Sequence, residues 1–99
     1  MTLKQNQPFK ALKINSADNV ATALTDIPEG AEASVLSDDG SLLRIEAIDH
    51  IPLAHKIALV KIATGGKIIK YGESIGAATR EIRPGEHVHI ANVRSLRGC

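Results

Sequence analysis

Three segments, Ile27-Pro28-Glu29-Gly30, Ile62-Ala63-Thr64-Gly65 and Ile82-Arg83-Pro84-Gly85, repeat the pattern Ile-x-x-Gly. Each lies at the end of a predicted strand, where the isoleucine enters the core and the glycine can adopt the backbone conformation of a tight turn. Short matches of this kind also arise by chance, but their shared position favours a structural repeat. The third residue after each glycine is apolar: Ala33, Ile68 and Val88. The repeat predicts long hairpins that fold over at equivalent turns.

Strand-like segments separated by Gly, Pro, Asp or Asn occupy most of the chain, and no apolar stripe at helical spacing extends beyond one turn. Asp38-Asp39-Gly40 lies between two apolar runs and predicts a tight hairpin. Residues 43–47 alternate apolar and charged side chains, which predicts a half-buried strand. We therefore predict an all-β fold of bent hairpins with at most one or two short helical turns. The predicted strands are Phe9–Ile14, Val20–Asp26, Ala33–Leu36, Leu42–Ile48, Lys56–Ile62, Lys67–Tyr71, Ala77–Glu81 and His87–Val93.

The 99 residues allow one domain, spanning residues 1–99, with the polar residues 1–7 expected to fray. A hydrophobic content of 43% and a charged content of 23% are typical of a globular chain. A domain of this size is only marginally stable alone, so a partner chain or self-association is expected. The single cysteine, Cys99, excludes an intrachain disulfide and a cysteine-based zinc site.

The net charge of +1 gives no electrostatic reason to expect nucleic acid or an anionic membrane as a partner. No apolar run approaches the roughly 20 residues that span a bilayer, and residues 1–10 lack the apolar centre of a signal peptide. We expect a cytoplasmic protein.

Four histidines are present, and two of them, His87 and His89, lie two residues apart on a predicted strand. Their imidazoles therefore point to the same face and are weak candidates for a shared metal or ligand, with an exposed pair of surface histidines as the alternative. His55 and Lys56 begin the most apolar predicted strand, where they can bind an acidic group or can simply be solvated.

The segment 70–76 is a second polar cluster, which includes Lys70, the only tyrosine, Tyr71, and two glycines. It predicts either part of a site or only a tight loop between strands. The chain contains no recognisable nucleophile-base-acid triad, phosphate-binding glycine loop or zinc-binding His-x-x-x-His motif.

Four ordered motifs together carry a resemblance to a known family over residues 9–97. They are Asp18-Asn19-Val20-Ala21-x-Ala23-Leu24, His55-Lys56-Ile57-Ala58-Leu59, Ile69-Lys70-Tyr71-Gly72-x-x-Ile75-Gly76 and Ile82-x-x-Gly85-Glu86-His87-Val88-His89-x-x-Asn92. They resemble the amino-terminal SAF domain of the altronate/galactarate dehydratase family, which has a β-clip fold.

The resemblance implies a hydro-lyase that removes water from a sugar acid or related hydroxy acid. It implies a divalent metal, commonly iron, held by a large region that these 99 residues do not include, so a large dehydratase subunit is the expected partner and no cofactor is assigned to this chain itself. For the site, it suggests His55 and His89 as proton carriers, Lys56 and Lys70 as carboxylate ligands, and Tyr71 and Asn92 as hydroxyl ligands. We expect Lys70, Tyr71, His89 and Asn92 to cluster on one exposed edge that contacts the large subunit, with His55 and Lys56 close by.

Three positions depart from the family pattern: Asn15 and Ala91 stand where histidine is common, and Ala54 stands where glycine is common. Three alternatives to the dehydratase interpretation stay open. The chain is similar to the small subunit of sulfolactate sulfo-lyase, it suits a stand-alone SAF module that binds an acid or a protein without catalysis, and it suits a fragment of a longer enzyme.

Overall fold

A computed structural model describes residues 8–95, and these residues form nine strands and no helix. The strands are β1 (Lys10–Lys13), β2 (Val20–Ala23), β3 (Glu32–Ser37), β4 (Leu42–Glu46), β5 (Lys56–Ala58), β6 (Lys67–Lys70), β7 (Glu73–Ala78), β8 (His87–Val88) and β9 (Val93–Ser95). Six form one sheet in the order β4-β3-β1-β2-β5-β8, and three form another in the order β6-β7-β9. The all-β prediction is confirmed, and the folded-over hairpins agree with a β-clip.

The Ile-x-x-Gly turns are paired in space. Ile27 and Ile51 exchange two backbone N–H···O bonds of 2.9 and 2.8 Å, and Ile62 and Ile82 exchange two of 2.8 Å each. All four isoleucines are buried. The partner of Ile27 reveals a fourth turn, residues 51–54, in which Ala54 takes the glycine position with a φ of 73°.

The four turns share one further backbone bond. In each, the N–H of the fourth residue donates to the carbonyl oxygen of the residue four positions before the partner isoleucine. These bonds run from Gly30 to Ala47 (2.7 Å), from Ala54 to Ala23 (2.9 Å), from Gly65 to Ala78 (2.8 Å) and from Gly85 to Ala58 (2.8 Å). The repeat seen in the sequence is therefore a repeat of backbone hydrogen bonding, which satisfies polar groups that would otherwise be buried unpaired.

Two apolar clusters of Ile, Val, Leu and Ala form the core around these turns. One contains Ile27, Ile51 and Ile57, and the other contains Ile62, Ile68 and Ile82. The residues that the sequence placed three positions after each glycine, Ala33, Ile68 and Val88, are fully buried. Alanines occupy many of the remaining core positions.

The predicted hairpin at Asp38-Asp39-Gly40 is confirmed, because it joins the antiparallel strands β3 and β4 and Gly40 has a φ of 87°. The half-buried strand at 43–47 is also present, although its exposure is graded: Leu43 is exposed and Ala47 is fully buried. The prediction for residues 1–7 lies outside the described part of the chain. Within that part, no helix has the length and apolar character that a membrane crossing needs.

Four predicted strands are wrong in their bounds. Those predicted at Val20–Asp26 and Lys56–Ile62 end early, at Ala23 and Ala58, because the chain bends there before the turns at Ile27 and Ile62. The strand predicted at Ala77–Glu81 is β7, Glu73–Ala78, because Tyr71 and Gly72 both have positive φ values and form a two-residue hairpin turn after β6. The continuous strand predicted at His87–Val93 is broken into β8 and β9. A turn separates them, closed by a bond of 2.9 Å from the Asn92 N–H to the His89 carbonyl oxygen, and it carries the chain from one sheet to the other.

Two glycines with the same backbone conformation provide a test of turn packing. Gly65 and Gly85 have φ values of 82° and 89°, but a Cβ at Gly65 would meet open space whereas one at Gly85 would overlap the Glu46 carbonyl oxygen. We expect Gly65→Ala to lower the free energy of unfolding by about 1–2 kcal/mol, the cost of a left-handed conformation for alanine. Gly85→Ala should lower it by about 3–4 kcal/mol, because backbone must also move.

Urea denaturation followed by circular dichroism measures both values. Equal losses of stability for the two variants would contradict the close packing of the turn at Gly85 against β4.

Candidate functional site

Three histidines meet where β5 and β8 pair. These strands are antiparallel, with Lys56 opposite Val88 and Ile57 opposite His87. One step further along this register, His55 lies opposite His89. The pairing therefore brings together two histidines predicted on one strand and a third from a distant part of the sequence; we call His55, His87 and His89 the histidine trio.

The three imidazole rings of the trio are stacked. Their centroids lie 4.3 Å apart for His55 and His89, 5.0 Å for His55 and His87, and 5.3 Å for His87 and His89. The His55 Nδ1 and His87 Nε2 atoms share a hydrogen bond of 2.8 Å, which requires a proton on one nitrogen and a lone pair on the other. One ring nitrogen from each residue lies within 4.8 Å of the other two.

The backbone around the trio is held by specific polar contacts. Ala54, in its strained left-handed conformation, directs the chain into His55, whose N–H donates to the Pro52 carbonyl oxygen at 2.9 Å. The His87 N–H donates to Asp49 Oδ2 at 3.0 Å. These contacts fix where both imidazoles leave the backbone.

Asn92 holds the other side of the trio. Its side chain is buried, with Oδ1 accepting from the His89 N–H at 2.9 Å and Nδ2 donating to the His87 carbonyl oxygen at 2.8 Å. The expectation that Asn92 lies on an exposed edge is therefore wrong, because its amide completes the turn between β8 and β9. Its predicted role as a hydroxyl ligand stays a prediction.

Burial and repulsion from neighbouring groups favour the uncharged forms of His87 and His89. The pKa of His87 is lowered below its ordinary value of 6.5, first by burial and then by the neighbouring His55 and His89. The pKa of His89 is lowered by burial, then by His55 and by Lys56. A neutral imidazole retains a lone pair, which is the form that accepts a proton or binds a metal.

One lysine, Lys56, lies beside the trio, and a second, Lys70, lies within electrostatic reach of Lys56. Lys56 is half-buried, and its pKa is lowered by burial and, to a smaller extent, by the like charge of Lys70. Lys70 comes near because Asn19, just before β2, bonds to the β6 backbone through the Ile69 N–H at 2.8 Å and the Lys67 carbonyl oxygen at 2.9 Å.

Tyr71 lies at the outer limit of this region. It is exposed in the hairpin turn after β6, and the Lys70 Nζ lies 4.9 Å from its ring centroid. The structure thus brings His55, His89 and Lys56 together, with Lys70 within electrostatic reach of Lys56 and Tyr71 next to Lys70. A functional role for each remains a prediction.

A cleft of about 260 Å³ opens beside His89. Lys56 and Ser95 supply its polar lining, and Ile75, Ile90 and Val93 supply its apolar lining. Ile90 is 83% exposed, an unusual state for a large apolar side chain. The cleft has room for a small acid and an apolar rim on which another surface can pack.

His50 does not join the trio. It is exposed, with its Nε2 3.6 Å from Asp26 Oδ2. Among the positions that depart from the family pattern, Ala91 is exposed in the turn beside the trio, and Asn15 approaches Gly72 in the turn after β6.

Sequence reasoning missed that His55 completes a trio and that several polar residues are structural. Buried Asp18 accepts backbone N–H bonds from Asn15 at 3.0 Å and from Gly72 at 2.8 Å. Buried Glu86 accepts from the Arg83 N–H and the Arg80 guanidinium, both at 2.7 Å. The antiparallel pairing of β5 with β8 places His55 opposite His89. This pairing depends on the tertiary fold and cannot be read from the sequence.

The family model of the altronate/galactarate dehydratase SAF domain matches residues 9–96. The chain belongs to this family. It is 43% identical to altronate dehydratase of Escherichia coli (strain K12), over 85% of this chain and 16% of that protein. It is 42% identical to galactarate dehydratase (L-threo-forming) of the same organism, over 78% of this chain and 14% of that protein.

The chain matches another relative over nearly the full length of that relative. The chain is 35% identical to (2R)-sulfolactate sulfo-lyase subunit alpha of Chromohalobacter salexigens, over 85% of this chain and 93% of that subunit. The SAF chain therefore spans about a sixth of the dehydratases it matches, but nearly the full length of a protein named as one subunit of an enzyme.

The lowered pKa values predict how acid affects the fold of this SAF domain. Between the ordinary value of 6.5 and the lower values of folded His87 and His89, the unfolded chain binds more protons than the folded chain. The free energy of unfolding should therefore fall as the pH drops through this window. Carboxylates titrate below about pH 5 and contribute little there.

Urea denaturation across this pH window tests the expectation. The double variant His87→Gln, His89→Gln should show a flatter pH dependence than the wild type, whereas His50→Gln should not change the contribution of His87 and His89. A slope that is unchanged in the double variant would contradict a depressed pKa of these two histidines.

Proposed function

We propose that this SAF chain is the small-subunit part of a lyase that acts on a hydroxy acid and is inactive without a large catalytic subunit. Its family membership supports this function, because its relatives include altronate and galactarate dehydratases and a sulfo-lyase subunit. The length relation supports a partner, since most of each dehydratase relative lies outside the region that the chain matches.

The observation that carries the proposal is that Lys56 and His89 line one cleft, with the other two imidazoles of the trio stacked against His89. Lys56 and Lys70 bind the carboxylate of the substrate. Part-burial of Lys56 strengthens this attraction, because a bound anion offsets the unfavourable burial of its charge.

The reaction requires a base and stabilisation of the leaving group. The electron pair of the C–H bond next to the carboxylate becomes the carbon–carbon double bond while the bond to the leaving group breaks. A dehydratase releases hydroxide, which gains a proton to become water, and the enol product rearranges to a 2-keto acid. The histidine trio, through His55 and His89, acts on the reacting end, either by an imidazole proton or through a bound metal. Tyr71 binds a distal hydroxyl.

A second candidate is favoured by the 93% coverage of the sulfo-lyase subunit. In that reaction the leaving group is sulfite in place of hydroxide, and the carboxylate site is the same. In either case we propose a cytoplasmic enzyme whose large subunit holds a divalent metal, iron in the first instance. A binding module without catalysis is the alternative outcome of the tests below.

Charge removal at the cleft tests substrate binding. The chain is co-expressed with a large dehydratase subunit sought among the neighbouring genes, and turnover of altronate, galactarate and sulfolactate is measured. Lys56→Met and Lys70→Met should each lower kcat/KM by about 10- to 100-fold, the value of a charge-assisted hydrogen bond to a carboxylate.

Lys61→Met is the matched control, because Lys61 is exposed and lies 3.9 Å from Glu81 in a surface ion pair. It should leave turnover unchanged. The proposed function fails if the chain forms no complex and none of the three acids is turned over.

The apolar rim of the cleft tests the partner surface. Ile90→Asp should abolish co-purification with the large subunit, because a charge placed in the apolar centre of an interface is strongly unfavourable. Leu42→Asp is the control, since Leu42 is 68% exposed on β4, at the sheet edge opposite β8. Equal retention of the partner by both variants would locate the interface elsewhere.

A further inference from the structure

We propose that the histidine trio is a binding site for a divalent transition metal within this chain, with a coordination position open toward the cleft. This inference deepens the proposed function by naming how the trio would act on the reacting end. It rests on that function only for its catalytic consequence, because metal binding is a property of the SAF chain itself.

The distances within the trio are close to those of a three-histidine metal site. Zinc binds imidazole nitrogen at about 2.0–2.1 Å, so tetrahedral ligands lie about 3.3 Å from one another. The three available nitrogens lie within 4.8 Å, and the closest pair, on His55 and His87, is 2.8 Å apart. Because the rings are stacked, equal metal–nitrogen distances require them to turn about their side-chain bonds when a metal binds.

The internal contacts of the trio leave most of its ring nitrogens free. The single hydrogen bond between His55 and His87 uses one nitrogen of each ring. Among residues 8–95, His89 makes ring contacts with both neighbours and no side-chain hydrogen bond. None of these ring nitrogens is both buried and without a partner, so their lone pairs are open to solvent and to a metal ion.

The backbone beneath the trio provides the support that metal ligands require. The Asn92 amide fixes the residues on both sides of Val88, and Asp49 holds the His87 N–H. Rigid placement of the ligands before binding lowers the entropy lost when the metal arrives. Because no other described histidine or acidic residue joins the group, the metal would keep an open position, as catalytic zinc sites do.

The charges around the trio determine what fills that open position. Lys56, which lines the cleft together with His89, opposes a bound cation, and Asp49, whose Oδ2 accepts from the His87 N–H at 3.0 Å, partly compensates for it. An anionic fourth ligand removes the remaining imbalance. A carboxylate oxygen held beside Lys56 in the cleft has the required charge and position.

Metal titration of the full chain tests the site. Tag-free protein carrying Cys99→Ser, which removes a thiol ligand, is titrated with Zn²⁺ by calorimetry and with Co²⁺ by absorption spectroscopy. We expect saturation at one metal per chain, with Co²⁺ bands typical of tetrahedral nitrogen coordination. His55→Gln, His87→Gln and His89→Gln should each weaken binding by at least about tenfold.

His50→Gln is the matched control, because His50 is an exposed histidine of the same chain outside the trio. It should bind the metals like the parent protein. Thermal unfolding provides a second readout: zinc should raise the Tm of the parent and of His50→Gln, and should raise it less in each trio variant, whose metal-free circular dichroism reports folding.

Absence of saturation up to about 1 mM metal, or equal weakening by His50→Gln, would overturn the metal site. The result is independent of the partner experiments. A chain that binds zinc but forms no active complex would refute the proposed function alone, and an active complex whose SAF chain binds no metal would refute this inference alone.

Discussion

The paired backbone bonds between buried isoleucines are the interaction on which the rest of the structure depends. Backbone bonds join four turns into two pairs, through Ile27 and Ile51 in one pair and through Ile62 and Ile82 in the other. In each turn a further backbone N–H bonds to the segment that precedes the partner turn. The chain has one phenylalanine, Phe9, packed part-buried against one apolar cluster, one exposed tyrosine and no tryptophan, so neither a phenylalanine nor a tyrosine is fully buried in the described core. Cohesion comes instead from closely approaching strands of small and branched residues whose backbone polar groups are satisfied within the turns.

The histidine trio follows from these bonds. His55 follows the turn isoleucine Ile51 by four residues, and His87 follows the turn isoleucine Ile82 by five. Because the second of these turns is tied to Ala58 on β5, the two strands that follow must pair, and their register places the imidazoles together. Site geometry and fold stability thus depend on the same hydrogen bonds, so a substitution at Gly85 would disturb both.

Features that follow from residue type were predicted correctly from the sequence. The predictions were wrong where a residue adopts a conformation or a structural role that its type rarely has. Three turns were visible through glycine, but the fourth was hidden because Ala54 occupies a conformation that usually requires glycine. The start of β7 was missed for the same reason, since Tyr71 takes the first position of its turn with a positive φ. The pair His87 and His89 was predicted correctly to share a face. The break after it was not, because the buried amide of Asn92 replaces strand pairing with a turn.

Lys56 links the two parts of the proposed function, substrate binding and assembly with a large subunit. Its burial already lowers its pKa, which means that the charged form of Lys56 is disfavoured even before a partner binds. A partner that packs on Ile90 and covers the cleft would remove more water and raise that cost, unless an anion arrives with it. Closure over an empty cleft is therefore disfavoured, and closure over a bound carboxylate is favoured by an attraction that strengthens as water leaves. In this arrangement the negative charge of the substrate stabilises the assembled site. The SAF domain is too small to enclose an active site, but through Lys56 it makes closure of the proposed site depend on bound substrate.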